Sequence, residues 1–275
     1  MGPLEVLKEA EFAAAEELPP GLGQVYGGGL SFQAPVLIAN FVSSLDGVVD
    51  LPGSSRVGRI LSGDSPGDRF VMGLLRACAD AVLIGAGTLR ASPRSTWAPD
   101  QAFPEGARDF WDLRQQRRLA PRPRVVVVTR GGNLDPSHPG LRGALIATGA
   151  QGAARLPPEL GSEVLTLPDG PTGLDLGFLL ERLVSLGYRT VLSEAGPSLT
   201  GVLVAEGLLD ELFLTVSPLL AGWPVGGGRT GMAGEVQLLP ERQVGGRLLS
   251  VRRQGSHLFL RYRFVRADGK AHPAP

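Results

Sequence analysis

Uninterrupted apolar runs alternate along this chain with stretches in which apolar positions recur at helical spacing. "PVLIANFVSS" (35–44), "DAVLIGAGT" (80–88) and "RVVVVT" (124–129) are continuous aliphatic runs, the pattern of strands buried on both faces. "GALIAT" (143–148), "SEVLTL" (162–167), "RTVLSE" (189–194) and "DELFLTVSP" (210–218) are further strand candidates. Helices fall between them. "SPGDRFVMGLLRACA" (65–79) opens with a serine N-cap, puts proline at its first position and carries an acid in its first turn. "DLGFLLERLVSLGY" (175–188) is amphipathic and stops at Gly187, and "PSLTGVLVAEG" (197–207) begins beside Pro197 and closes at Gly207. Such alternation predicts an α/β layer architecture around a largely parallel sheet. Near the C-terminus the period changes. In "RLLSVRRQGSHLFLRYRF" (247–264) apolar and charged residues alternate about Gln254-Gly255-Ser256, which predicts a closing antiparallel hairpin and therefore a mixed sheet.

The flanks read differently. Residues 1–34 are expected to be an extension, a helical stretch followed by a Gly/Pro-rich connector, ahead of a core spanning 35–265 and a tail at 266–275. The Pro- and Arg-rich segment 93–124 is an excursion between two strands, with a short helix around Phe110 to Arg118. The composition narrows the function. Lys+Arg and Asp+Glu both number 27, so no global field favours nucleic acid or an anionic membrane, and an anionic ligand must be met by local groups. Cys78 is the single cysteine and is expected to be a small core residue; with only His138, His257 and His272 beside it, no metal-ligand spacing is present and no metal is expected. No basic-plus-apolar leader or bilayer-length apolar run is seen, so a soluble cytoplasmic protein is expected.

In α/β sheets ligands bind beyond the carboxyl ends of the strands. Three strand-to-loop junctions fall there: "SSLDG" (43–47), "GAGT" (85–88) and "EAGPSLT" (194–200). Glycines let a ligand approach backbone, and a helix starting at Pro197 or Ser198 offers unbonded N–H groups to a phosphate. Each junction also has a purely structural reading. Asp46 can cap a turn before Gly47, Arg76 can pair with Asp80 along a helix, and Thr88 can end a strand.

Taken together, "SSLDG", "LLRACADAVLIGAGTLRA" and "SEAGPSLTGVLVAEGLLDELFLTVSPLLAG" resemble the riboflavin-biosynthesis reductase domain, the RibD C-terminal domain family of the dihydrofolate-reductase-like superfamily, over roughly 35–265. The resemblance implies a three-layer α/β/α fold with a mostly parallel mixed sheet and a C-terminal antiparallel hairpin. It implies an NADPH-dependent reductase, a homodimer, that delivers hydride to the sugar C1 of a ribosylamino pyrimidine phosphate and leaves a ribitylamino group. By the same matching, Glu194 faces the substrate and Gly196, Pro197, Ser198, Leu199 and Thr200 hold the cofactor phosphates, with Gly85, Gly87 and Thr88 also on the cofactor. Arg76 is implied as a substrate contact, Ser44 and Asp46 as the pocket floor, and Asp46 or Glu194 as the group that donates a proton or stabilises positive charge. Arg90 or Arg130 would meet the cofactor's 2′-phosphate. Asp210 and Glu211 read as helix-exit residues. The H-x-E and P-C-x-x-C ligands of the zinc deaminase often fused to this domain are absent from the chain.

The segment after Thr88 departs from the family. Ser92 stands where an acid is expected, Pro99 falls near an expected arginine, and Arg56 replaces an aromatic; Arg90 or Arg94 would have to restore the missing charge, or the substrate differs. A dihydrofolate-reductase-like enzyme acting on a pterin, or a non-catalytic nucleotide-binding member, are the alternatives.

Overall fold

The computed structural model describes residues 1–10, 16–51, 53–54, 56–171, 173–222 and 230–265. Its strands in chain order are β1 (Glu5–Glu9), β2 (Val36–Ser43), β3 (Ala81–Gly85), β4 (Arg124–Val128), β5 (Leu145–Thr148), β6 (Glu163–Thr166), β7 (Asp169–Gly170), β8 (Gly173–Leu174), β9 (Thr190–Ser193), β10 (Glu211–Val216), β11 (Gly245–Gln254) and β12 (His257–Val265). The helices are α1 (Pro20–Tyr26), α2 (Val57–Leu61), α3 (Pro66–Cys78), α4 (Ala86–Ala91), α5 (Pro99–Ala102), α6 (Ala107–Gln116), α7 (Ala150–Ala153), α8 (Leu176–Ser185) and α9 (Pro197–Ala205). All strands but β7 and β8 join one sheet in the order β1-β11-β12-β10-β2-β9-β3-β4-β5-β6. From β10 to β6 every pairing is parallel, while β10–β12, β12–β11 and β11–β1 are antiparallel. The expected mixed sheet with its C-terminal hairpin is what forms.

Alternation of side chains through the sheet builds two apolar layers. Val36, Ile38, Val82, Ile84, Leu192 and Phe213 pack with Phe70 and Leu74 of α3 and Phe110 of α6. Leu37, Ala39, Leu83, Val126 and Val191 face the other way, onto Leu179 and Leu183 of α8 and Leu203 of α9. The result is helix, sheet, helix.

Local signals fix α3, the helix that matters most for the site. Ser65 Oγ accepts from the Asp68 N–H at 3.3 Å and Pro66 occupies the first position. Its carboxyl end is held from outside. Arg114, buried on α6, sends Nη1 to the carbonyls of Arg76, Ala77 and Ala79 at 3.1, 3.1 and 2.8 Å, satisfying acceptors that the last turn leaves open. The Pro- and Arg-rich excursion is therefore packed structure. It supplies α5 and α6, which lie against α3.

Two expectations need correction. Residues 5–9 form a strand where a helix was expected, because the outer edge of β11 offers unpaired backbone groups; Glu5 pairs opposite Arg253 and Glu9 opposite Ser250. Glu5 and Glu9 also bridge to Arg253 and Arg252. The opening segment is tied to the core as well, since Leu4, Leu22, Tyr26 and Leu30 are buried in the α3-side layer. Secondly, only the first residue of "GAGT" is strand. The chain leaves β3 at Gly85 and turns at once into α4, so Gly87 and Thr88 are helical. Residues 11–15 of the expected helix and the tail at 266–275 lie outside the described residues.

Candidate active site

The carboxyl ends of β2, β3, β9 and β10 meet two helices of opposite face, α3 and α9, and the chemistry divides between them. On the α9 side lies a cavity of about 280 Å³ lined by Gly85, Val128, Arg130, Leu174, Leu176, Ser198, Leu199 and Val202. Gly85 borders it beside Leu199: a methyl group there would stand 3.8 Å from Leu199 Cδ2, an ordinary contact distance. α9 starts with Gly196 as N-cap and Pro197 at its first position, and no side chain caps it. Its first-turn N–H groups, those of Ser198 and Leu199, thus sit at the positive end of the helix with no capping side chain. Thr88 of α4 comes alongside: its Oγ1 is 3.7 Å from where a Cβ on Gly196 would lie. Apolar walls, an arginine and an uncapped helix start are a donor set suited to a phosphate-bearing nucleotide.

The α3 side is polar and buried. Arg76 Nε and Nη2 donate to the two oxygens of Glu194 at 2.6 and 2.7 Å, and its Nη1 reaches the Ala98 carbonyl at 3.3 Å. The two side chains are only 6% and 12% exposed, so this fork is shielded from water. Two turns earlier on α3 stands Asp68, also buried. Burial pushes its carboxyl up to about 6; hydrogen bonding from the Thr215 hydroxyl of β10 opposes the shift and the nearby Glu194 charge adds to it.

A third acid is held very differently. Asp46 accepts from Ser44 Oγ at 2.5 Å and from the backbone N–H groups of Ala221 and Gly222 at 3.0 and 2.9 Å. These bonds, the Ser44 hydroxyl first, draw its carboxyl down to about 2. Ser44 Oγ also accepts from the Val48 N–H, so the "SSLDG" turn is closed on itself and fastened to the loop after β10.

The residues expected from sequence are thereby sorted. Gly85, Ser198 and Leu199 line the cavity, and Thr88, Gly196 and Pro197 sit beside it. Gly87 is exposed, with no protein atom near the place of a Cβ. Thr200 is fully buried and its hydroxyl turns back to the Ala195 carbonyl, so only its neighbours face the cavity. Arg76 does not pair with Asp80, whose carboxylate instead takes the N–H groups of Arg189 and Thr190. Asp46 takes the turn-capping geometry, and an acid held near 2 has no proton to give at neutral pH. Glu211 is buried on β10 between Arg261 and Arg263, and Asp210 accepts from the Leu37 N–H; both acids hold the sheet together. Arg130 lines the cavity, whereas Arg90 and Arg94 are exposed on the segment after Thr88.

Sequence reasoning missed three participants. Asp68 reads as an ordinary first-turn acid, and Thr215 as one residue of an apolar strand. Ala98 reaches the site only through the fold of the segment after Thr88, where Trp97 is buried and stacks on His138 at 6.0 Å. His138 Nδ1 accepts from the Gly140 N–H, which leaves the proton on Nε2 for the Ser92 carbonyl at 3.0 Å. The one available signal was the eight-residue spacing of Asp68 and Arg76 on a helix whose N-cap is fixed.

Among the described residues no helix is long and apolar enough to cross a membrane, and no His, Cys, Asp and Glu cluster could hold a metal ion. Comparison with known proteins places this geometry in context. A 2,5-diamino-6-ribosylamino-4(3H)-pyrimidinone 5′-phosphate reductase of Methanothermobacter thermautotrophicus is 28% identical over 190 residues, 68% of this chain and 80% of that protein. The riboflavin biosynthesis protein RibD of Escherichia coli is 28% identical over 160 residues, 58% of this chain and 42% of RibD, so the match spans less than half of that longer protein. The solved structure of Acinetobacter baumannii RibD shares the fold, with a TM-score of 0.64 at 20% identity over 89% of this chain and 60% of that one. The family model of the RibD C-terminal domain matches residues 35–256, most of the chain, and this protein belongs to that family.

Proposed function

We propose that this protein is an NADPH-dependent reductase that converts the ribosylamino group of a pyrimidine 5′-phosphate to a ribitylamino group. The observation that carries the reading is the junction of two unlike half-sites at one end of the sheet: a cavity with Arg130 and the uncapped α9 start on one side, and the buried Arg76, Glu194 and Asp68 group on the other. The archaeal relative, named for a reductase of this type, supplies the substrate class.

Each half has a definite task. Ser198 and Leu199 N–H groups would take cofactor phosphate, the apolar walls would take its rings, and Arg130 would meet the 2′-phosphate that distinguishes NADPH from NADH. When bound, the reduced nicotinamide supplies the hydride. Arg76 has two N–H groups beyond those given to Glu194 and Ala98, and these would orient an anionic or carbonyl group of the substrate. Closing both halves around the ligands would exclude water.

The test is NADPH oxidation followed by absorbance, with the ribosylamino-pyrimidine 5′-phosphate and dihydrofolate supplied in parallel and the ribitylamino product identified by mass. Turnover of the first and not the second is expected; turnover of neither, with NADPH bound, would overturn the reading. We also propose a homodimer. Leu214, Leu258, Leu260, Tyr262 and Phe264 share one face of β10 and β12 and stay partly exposed, a surface a second copy would cover. A monomeric mass by light scattering at micromolar concentration would refute it.

A further inference from the structure

The chain leaves β4 at Val128 and passes at once to Arg130, the charged side chain on the wall of the cavity. Two glycines from distant parts of the sequence close on that arginine. A methyl group on Gly152 of α7 would stand 2.6 Å from the Arg130 carbonyl oxygen and would also strike Thr148 Oγ1. One on Gly173 of β8 would stand 2.5, 2.9 and 3.1 Å from Arg130 Nη2, Cζ and Nε. The guanidinium therefore fills the space that any other residue at 173 would need for its own side chain. Gly132 completes the packing behind it: its N–H goes to Thr129 Oγ1 at 3.2 Å, and a side chain there would collide with the Gly152 carbonyl. Arg130 is thus seated at both ends, its main chain against α7 and its head group against β8.

The seat belongs to the cavity. Leu174, next to Gly173, lines the same wall, and β7 holds β8 in place, with Gly170 opposite Gly173 and Asp169 opposite Leu174. A long arginine side chain ordinarily gives up much rotamer freedom when it grips a ligand, and one already packed in place gives up less. The bare face of a glycine also suits a flat guanidinium, whereas a lysine ammonium carries the same charge without the plane. Ser198 and Leu199 of the uncapped α9 start stand on the wall of this cavity too, so a ligand with one phosphate at the helix start and a second at Arg130 matches it.

We propose that Gly173, with Gly152 behind it, is the positioning residue that sets the preference for a 2′-phosphorylated dinucleotide, by holding the Arg130 guanidinium at the cavity wall before the ligand arrives. The proposal rests on the cofactor reading above. NADH lacks the 2′-phosphate, so what the seat contributes is felt by NADPH alone, while the apolar wall at Leu174 serves both cofactors.

The experiment measures dissociation constants by calorimetry, without substrate or turnover, for NADPH and NADH and for adenosine 2′,5′-bisphosphate and AMP. The proteins are the wild type, Gly173→Ala, Arg130→Met, Arg130→Lys, Leu174→Ala and the double variant Gly173→Ala/Arg130→Met. Gly173→Ala should weaken NADPH and the bisphosphate about tenfold, the scale of a lost charge-assisted contact, and NADH and AMP less than about twofold. Arg130→Met should do the same, and adding Gly173→Ala to it should cost nothing more. Arg130→Lys should keep the charge yet lose at least about threefold for NADPH. Leu174→Ala should weaken NADPH and NADH alike.

The seat is overturned if Gly173→Ala weakens NADH as much as NADPH, which would make β8 a wall and nothing more. It is overturned as well if the two substitutions are additive or if Arg130→Lys retains the full NADPH preference. Gly173 has φ of +130°, which a side chain tolerates poorly, so if its alanine variant does not fold the Arg130→Lys and Leu174→Ala results decide the matter. A wild type that binds NADPH and NADH equally refutes the seat while leaving a nucleotide site; one that binds none of the four probes refutes the cofactor reading, and the seat falls with it.

Discussion

Glu194→Gln separates a scaffold carboxylate from one that waits for substrate. The change keeps the side-chain shape and one acceptor oxygen but removes the charge and turns the second acceptor into a donor aimed at Arg76. In the native protein both oxygens lie 2.6 and 2.7 Å from guanidinium nitrogens and both side chains are largely shielded. Removing one partner of a buried pair costs about 3–5 kcal/mol, because the other charge stays buried without its counterion. Since glutamine retains one of the two hydrogen bonds and Ala98 still accepts from Nη1, a loss of about 2 kcal/mol is expected, which for a chain of this size lowers the melting midpoint by roughly 4–8 °C. Calorimetry and urea unfolding would measure it. A cycle with Arg76→Met should return a coupling energy of similar size, and NADPH affinity should be unchanged, because the cofactor half-site lies on α9. A midpoint within 1 °C of the wild type, together with coupling below about 0.5 kcal/mol, would refute this and restore Glu194 as an acid that faces substrate without a structural duty. The Arg76 fork is what gives this variant a stability cost.

Asp68 should also govern stability. Its carboxyl is raised from 3.8 to about 6 by folding, so the unfolded chain releases the proton first; the folded state suffers no penalty below about pH 4, and stability falls as pH rises to about 6, by at most about 3 kcal/mol, a slope that Asp68→Asn should abolish in urea midpoints measured across that range. Asp46 has the opposite sign: held near 2, it supports the fold above its ordinary value of 3.8 and loses that support as pH falls towards 2, and Asp46→Ala should speed hydrogen exchange at the Ala221 and Gly222 amides, while unchanged exchange would show that those bonds do not fasten the loop. Gly85→Leu would fill the cavity beside Leu199 and should weaken NADPH binding by about tenfold or more, near 1.4 kcal/mol, without unfolding the protein; an unchanged dissociation constant would place the cofactor elsewhere.

The pattern of apolar positions sufficed for the parts of this fold that are locally encoded. β2, β3 and β4 are largely apolar runs because they are buried on both faces, α3 and α8 announce their starts through Ser65 and Asp175, and Gly255 marks the turn between β11 and β12. The glycine and helix-start chemistry of the α9 half-site was equally legible, since backbone N–H groups at a helix start follow from where the helix begins. What the chain could not disclose by itself was which polar side chains meet. Arg76 had Asp80 four residues away on paper, yet it reaches Glu194 across 118 residues, because α3 lies over the end of β9 while Asp80 turns to the backbone of the strand's approach. Asp68 and Thr215 meet for the same reason, and Asp46 is bound by amides 175 and 176 residues away. β1 is a strand only because β11 presents an edge to it. Periodicity and caps are set by neighbours in the chain. The partner of a buried charge is set by which elements pack together, and burial, which raises Asp68 while neighbouring amides lower Asp46, exists only once they have packed.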